Sequence, residues 1–146
     1  MGKYRWAAAA LLMLGTVSLL AGEHYSLTVT VKDLRNNKGD VQFALYNKKG
    51  TIPDKNYTKY YKIAVASIRN GSASTTFKGL PEGRYAVNIL HDEDQNGQIA
   101  KGLMLPTEGI GFSNYSSIGI GNKPSFEKAS FELNHDSTKT VKVIYF

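Results

Sequence analysis

Apolar and polar residues alternate with a period of two along most of the chain. Leu27, Val29 and Val31 alternate with Thr28, Thr30 and Lys32, and Val41, Phe43 and Leu45 resume the pattern. Neighbouring side chains of a strand point to opposite faces, so each set predicts a strand with one apolar face. Asn36-Asn37-Lys38-Gly39-Asp40 lies between them. Its residues tolerate positive φ, and the two runs read as a hairpin. A polar loop follows from Lys48 to Tyr57. Strand character returns from Tyr60 to Ile68, with Tyr61, Ile63, Val65 and Ser67 on one face. Asn70-Gly71 is a strong two-residue hairpin signal, leading into a strand at Thr75-Thr76-Phe77. Gly79-Leu80-Pro81-Glu82-Gly83 predicts a turn. The next strand runs through Tyr85, Val87 and Ile89 and ends near His91. Residues 92–123, with six glycines, read as a long loop region, and such loops tend to carry function. Phe126–Leu133 and Thr140–Phe146 predict the last strands. The total is about seven short strands with no helical periodicity, which argues for an all-β, antiparallel sandwich or a related barrel.

The N-terminus breaks this pattern. Met1, Lys3 and Arg5 are followed by an uncharged apolar run, Trp6 to Leu20, and by the small residues Ala21 and Gly22. This is the layout of a secretory signal peptide over residues 1–22. The run is shorter than the roughly 20 residues of a membrane span, so cleavage is expected rather than retention as an anchor. Residues 23–146 then form one β-sandwich domain. Leu19-Leu20-Ala21-Gly22 approaches a lipoprotein signal, but Glu23 stands where a cysteine is required, and the chain has no cysteine. Disulfides are excluded for the same reason. An exported, periplasmic or secreted bacterial protein fits this composition. The formal net charge is +6, and +4 without Lys3 and Arg5. The basic residues are spread along the chain rather than massed, so the sequence does not predict nucleic-acid binding.

One segment carries recognisable chemistry. Asp92, Asp94 and Asn96 stand at alternating positions before Gly97, the first half of a D-x-D-x-N-G calcium loop. A hard cation takes oxygen ligands, and a bend at glycine can turn short acidic and amide side chains, with the Gln98 carbonyl, toward one point. The second half of an EF-hand loop is missing: Leu103 occupies the position of its final Glu. A site here needs Glu108, Glu82 or water to complete it. The plain alternative is a β-turn in which Asp and Asn cap their own backbone. His91, just before the loop, reads either as a ligand or acid–base group or as a strand-end histidine bonded to the loop. His24 and His135 share no ligand spacing with it.

Gly109-Ile110-Gly111-Phe112-Ser113-Asn114 is the second candidate region. Its glycines would permit close backbone approach to a ligand, or merely a tight turn. It lacks the strand–turn–helix context of a dinucleotide fingerprint, and no G-x-S-x-G elbow occurs. Tyr57, Tyr60 and Tyr61 form an aromatic cluster that suits either sheet packing or stacking on a sugar.

Leu80-Pro81-Glu82-Gly83-Arg84-Tyr85, His91-Asp92 with Asn96-Gly97, Pro106 to Asn114, and Pro124 to Ala129 together resemble the bacterial exported family known as domain of unknown function 2141. The resemblance spans Leu27 to Tyr145 and implies a prealbumin-like or immunoglobulin-like β-sandwich with no established activity. The family usually has an acidic residue near the position of Ala100, so one carboxylate is missing here. Transthyretin-like hydrolases share the architecture but end in Tyr-Arg-Gly-Ser, whereas this chain ends Val143-Ile144-Tyr145-Phe146.

The expected function is an exported, non-enzymatic binding or structural module of the cell envelope. It engages a small ligand or envelope protein through the 92–114 loops and is braced by calcium at Asp92, Asp94, Asn96, Gln98 and Glu108. The rival is a small hydrolase using His91 with a nearby carboxylate, which needs His91 and Glu108 together in a concave pocket. A structural partner role would show as a long unpaired edge strand.

Overall fold

The computed structural model describes residues 22–98 and 107–146. Residues 1–21 of the signal-like segment, Ala100 and Leu103 fall outside them. No helix among the described residues is long and apolar enough to cross a membrane.

The elements in order are β1 (His24–Lys32), β2 (Asp40–Tyr46), β3 (Lys62–Ser67), β4 (Ala73–Pro81), β5 (Gly83–Asp92), β6 (Ile110–Phe112), α1 (Phe126–Ala129), β7 (Phe131–Leu133) and β8 (Ser137–Lys142). They form two sheets: a three-stranded sheet in the order β4-β1-β8, and a five-stranded sheet in the order β3-β2-β5-β6 with β7 also on β5. Pairing is antiparallel except for β1 with β8, which is parallel. The chain is thus an all-β sandwich of eight strands. The eighth is β6, inside the stretch that reads as loop.

Leu27, Val29 and Val31 of β1 meet Val41, Phe43, Leu45, Val87 and Ile89 across the sandwich, all fully buried. The five-stranded sheet is covered on its other face as well. Ala44, Tyr46, Ala86 and Leu90 pack there beneath Ile52, Tyr57, Tyr115 and Phe126 from the flanking loops and α1. The two central strands β2 and β5 are therefore buried on both faces, which explains their near-continuous apolar runs. Edge strand β3 lacks that second cover. Its Ala64 and Ala66 face inward, and Tyr61, Ile63 and Val65 stay exposed.

Three expectations change. β1 and β2 are not a hairpin: the segment around Gly39 carries the chain from one sheet to the other. The Asn70-Gly71 turn does form, with φ of 51° and 72° and a reciprocal Arg69–Ser72 pair, but it too joins strands of different sheets. The first half of the expected Phe126–Leu133 strand is one turn of helix. Ser125 caps it, its side chain accepting from the Lys128 amide, and Ser130 ends it.

After β8 the tail crosses back to the five-stranded sheet. Ile144 and Ile110 exchange backbone hydrogen bonds of 2.7 and 3.0 Å. A Cβ on Gly111 would overlap the Lys142 carbonyl oxygen, and one on Gly109 the Tyr145 ring. The space these glycines leave is filled by the protein's own C-terminal strand.

Candidate functional site

β5 ends at Asp92, opposite Asp40 of β2. Gly39, at φ +67°, lies so close to the Asp92 carbonyl that a side chain there would overlap it. This contact seats the end of β5 before the loop begins. Gln95 (φ +56°) and Gly97 (φ +71°) then bend the chain back over the sheet, where Gly97 O accepts from Gln42 Nε2 at 3.4 Å.

The loop is organised by its own acidic and amide side chains. The Asp92 carboxylate accepts from Gly97 N at 2.6 Å and Asn96 N at 3.2 Å. Asp94 accepts from Asn96 N at 3.3 Å and Asn96 Nδ2 at 3.0 Å, and Asn96 Oδ1 accepts from Gln98 N at 2.8 Å. This is the capped turn of the plain reading, with Asn96 and the Gln98 amide engaged inside it.

Glu108 joins it from the far side of the 99–106 stretch. Its Oε2 accepts from Glu93 N at 2.6 Å. Carboxylate oxygens of Asp92, Asp94 and Glu108 lie within 4.8 Å of one another. Asp92 and Glu108 are buried and Asp94 is exposed, so the cluster reaches from the interior to the surface. Burial, with Asp94 and Glu108 adjacent, pushes the Asp92 carboxyl up to about 6. Glu82 does not belong to this group. It precedes β5 at its opposite end, ~30 Å away at the strand rise.

The rim of the cluster contains residues no motif marks. Arg35 donates through Nε to Glu93 at 2.6 Å and through a terminal nitrogen to Thr107 O at 2.9 Å. Its guanidinium also lies 4.6 Å from the centre of the Tyr145 ring. Arg35, Lys38, Glu93, Asp94, Thr107 and Glu108 line an open depression of about 370 Å³. Only the fold joins these segments.

His91 lies beneath this rim, its Nδ1 3.9 Å from Glu93 Oε1. It is fully buried, with Nε2 2.9 Å from Lys38 O and Nδ1 2.7 Å from Tyr145 Oη. A carbonyl only accepts, so Nε2 carries the hydrogen and Nδ1 accepts from the tyrosine. Tyr145 Oη accepts in turn from Arg35 N at 3.1 Å. The histidine ties the C-terminal tail to the segment before β2, and the described residues that line the depression do not include it.

The second candidate region is internal up to Ser113, and Asn114 is exposed. Gly111 and Phe112 are buried in β6. Ser113 Oγ donates to Ala129 O at 2.6 Å and accepts from Val87 N at 2.9 Å. Asn114, at φ +65°, donates through Nδ2 to the Lys128, Ala129 and Ser130 carbonyls. Ser113 lies beside Val87, four residues along β5 from His91 and ~13 Å from it at the strand rise, so the two do not form a catalytic pair. Of the tyrosine cluster, Tyr57 is buried and donates to Asn88 Oδ1 at 2.9 Å, and Tyr60 and Tyr61 are exposed.

No curated protein and no solved structure matches the chain. A family model described as "Uncharacterized protein conserved in bacteria (DUF2141)" matches residues 29–142, from β1 through β8. With the sandwich and both motif regions inside that span, the chain belongs to this family of uncharacterized proteins conserved in bacteria.

Proposed function

We propose that the chain is an exported, periplasmic or secreted binding module of the bacterial cell envelope, whose recognition rim at residues 92–98 and 107–108 is braced by a calcium ion. The observation that carries this reading is the convergence of the Asp92, Asp94 and Glu108 carboxylates within 4.8 Å. Three carboxylates so close repel one another, and a divalent cation converts that repulsion into attraction. The Asn96 side chain, which would release the Gln98 amide, and the Gln98 carbonyl complete the proposed ligand set. The depression edged by Arg35, Lys38 and Thr107 gives the small ligand or partner protein a polar seat beside the ion. Export rests on the basic, apolar and small-residue order of residues 1–22. Binding is favoured over hydrolysis because both nitrogens of His91 are engaged in the interior.

The test is titration calorimetry of chelator-treated protein with calcium chloride, paired with thermal melts. One site, with a melting midpoint that rises as calcium exceeds its dissociation constant, is expected. No heat and an unchanged midpoint at millimolar calcium remove the proposal.

A further inference from the structure

We propose that β3 is a docking edge for an extended acidic polypeptide segment, which adds to the five-stranded sheet as a further strand. β3 is the terminal strand of that sheet and, among the described residues, pairs with β2 alone. Its other edge presents backbone donors and acceptors that only another chain in extended conformation can satisfy in series. The run from Ile63 to Ser67 contains no charge, proline or glycine to blunt it. Lys62 folds away, its Nζ 3.5 Å from Lys78 O and over the Tyr61 ring.

The outer face of this edge is apolar. Ile63 and Val65 stand on it, 38 and 59 % exposed, and the exposed rings of Tyr60 and Tyr61, the latter against Tyr85, precede the strand; these are four of the six exposed large apolar side chains among the described residues. A contiguous group on an unpaired edge differs from the scattered apolar residues of an ordinary surface.

Charge selects the occupant. Residues 47–78 hold seven of the chain's 18 lysines and arginines and one of its 12 acids. That acid, Asp54, is buried and already accepts from Tyr46, Thr58 and Lys59. Exposed Lys59 precedes the strand and exposed Arg69 follows it. Pairing β3 with β3 of a second copy would set two such basic surfaces against each other, which disfavours self-association. A segment of alternating apolar residues with acids at both ends meets the edge, the exposed face and the flanking cations together. This surface is separate from the calcium rim, and its test is independent of it.

The probe is a fluorescein-labelled synthetic peptide, Val-Thr-Val-Thr-Val with two aspartates at each end, titrated with the full chain by fluorescence anisotropy. Two analogues accompany it: one with lysines for aspartates, one N-methylated at alternate amides so that it cannot pair. The acidic peptide is expected to bind at least tenfold more tightly than either analogue. The double variant Ile63→Asn/Val65→Asn is expected to weaken it at least tenfold at an unchanged melting midpoint. Equal binding of the three peptides, or none up to millimolar protein, overturns the proposal. So does co-sedimentation with phosphatidylglycerol vesicles that this double variant abolishes, or a dimer in sedimentation velocity that it splits, because the edge then serves a membrane or a second copy.

Discussion

Asp54 and Asp92 are equally hidden from water, at 4 and 3 % exposure, and sit in opposite surroundings. Asp54 lies in the loop between β2 and β3 and faces donors: Tyr46 Oη at 2.9 Å, Thr58 N at 3.1 Å and Lys59 N at 2.9 Å. Asp92 accepts two backbone amides but also has the Asp94 and Glu108 carboxylates at its side. The first carboxylate staples a loop over the core. The second sits in a group of three carboxylates at the end of β5. Burial of an acid therefore says little about its role, and the sign of its neighbours says most.

Four substitutions separate the two roles. Asp54→Ala strands the buried Tyr46 hydroxyl and two part-buried backbone amides and is expected to cost about 3 kcal/mol in guanidinium denaturation, leaving any calcium response intact. A loss below about 1 kcal/mol would show that the staple contributes no more than an ordinary hydrogen bond. Gly39→Ala forces a side chain onto the Asp92 carbonyl at positive φ. A cost of about 2 kcal/mol is expected, together with loss of calcium binding by calorimetry, because the end of β5 must shift.

Asp92→Asn acts through pH. A carboxyl raised from 3.8 to about 6 binds its proton more tightly in the folded state, so its stabilising contribution is full below about 4 and is lost as pH rises through about 6. Cation-free protein should therefore gain melting temperature relative to Asp92→Asn as pH falls from 7 to 5. With calcium present the trend reverses, since the ion requires the ionised carboxylates. Parallel pH curves for the two proteins would count against a crowded Asp92. Asp94→Asn should have the smallest effect on stability, within about 0.5 kcal/mol at this exposed position. Its calcium affinity, measured by titration, should nonetheless fall at least tenfold.

Much of the fold is readable from alternation. β1 and β4 each show one apolar face, and Asn70-Gly71 turns where its residues require. The misreadings share a cause. Strand pattern identifies a buried face but not the sheet that buries it, so β1 and β2 read as partners although they lie across the core from each other. Tyr61, Ile63 and Val65 read as one apolar strand face; Tyr61 precedes β3 and lies against Tyr85, and Ile63 and Val65 are exposed because the loops covering β2 and β5 do not extend over β3. Gly109 and Gly111 suggest room for a ligand, but the C-terminal strand takes that room. α1 escapes notice because a single capped turn is too short to show a helical period.

By itself the sequence determined the local chemistry: the alternating acids and amide before Gly97, the positive-φ bend, and the strands on either side. These depend on residues within one turn of each other, where side-chain length and backbone sterics decide. Tertiary structure alone decided that Glu108 and not Glu82 joins Asp92 and Asp94, that Arg35 and Tyr145 close around the rim, that His91 turns inward, and that β3 is left at an edge. Each of these depends on which distant segments the two sheets bring together, a choice made by burying the whole core at once and not by any one segment.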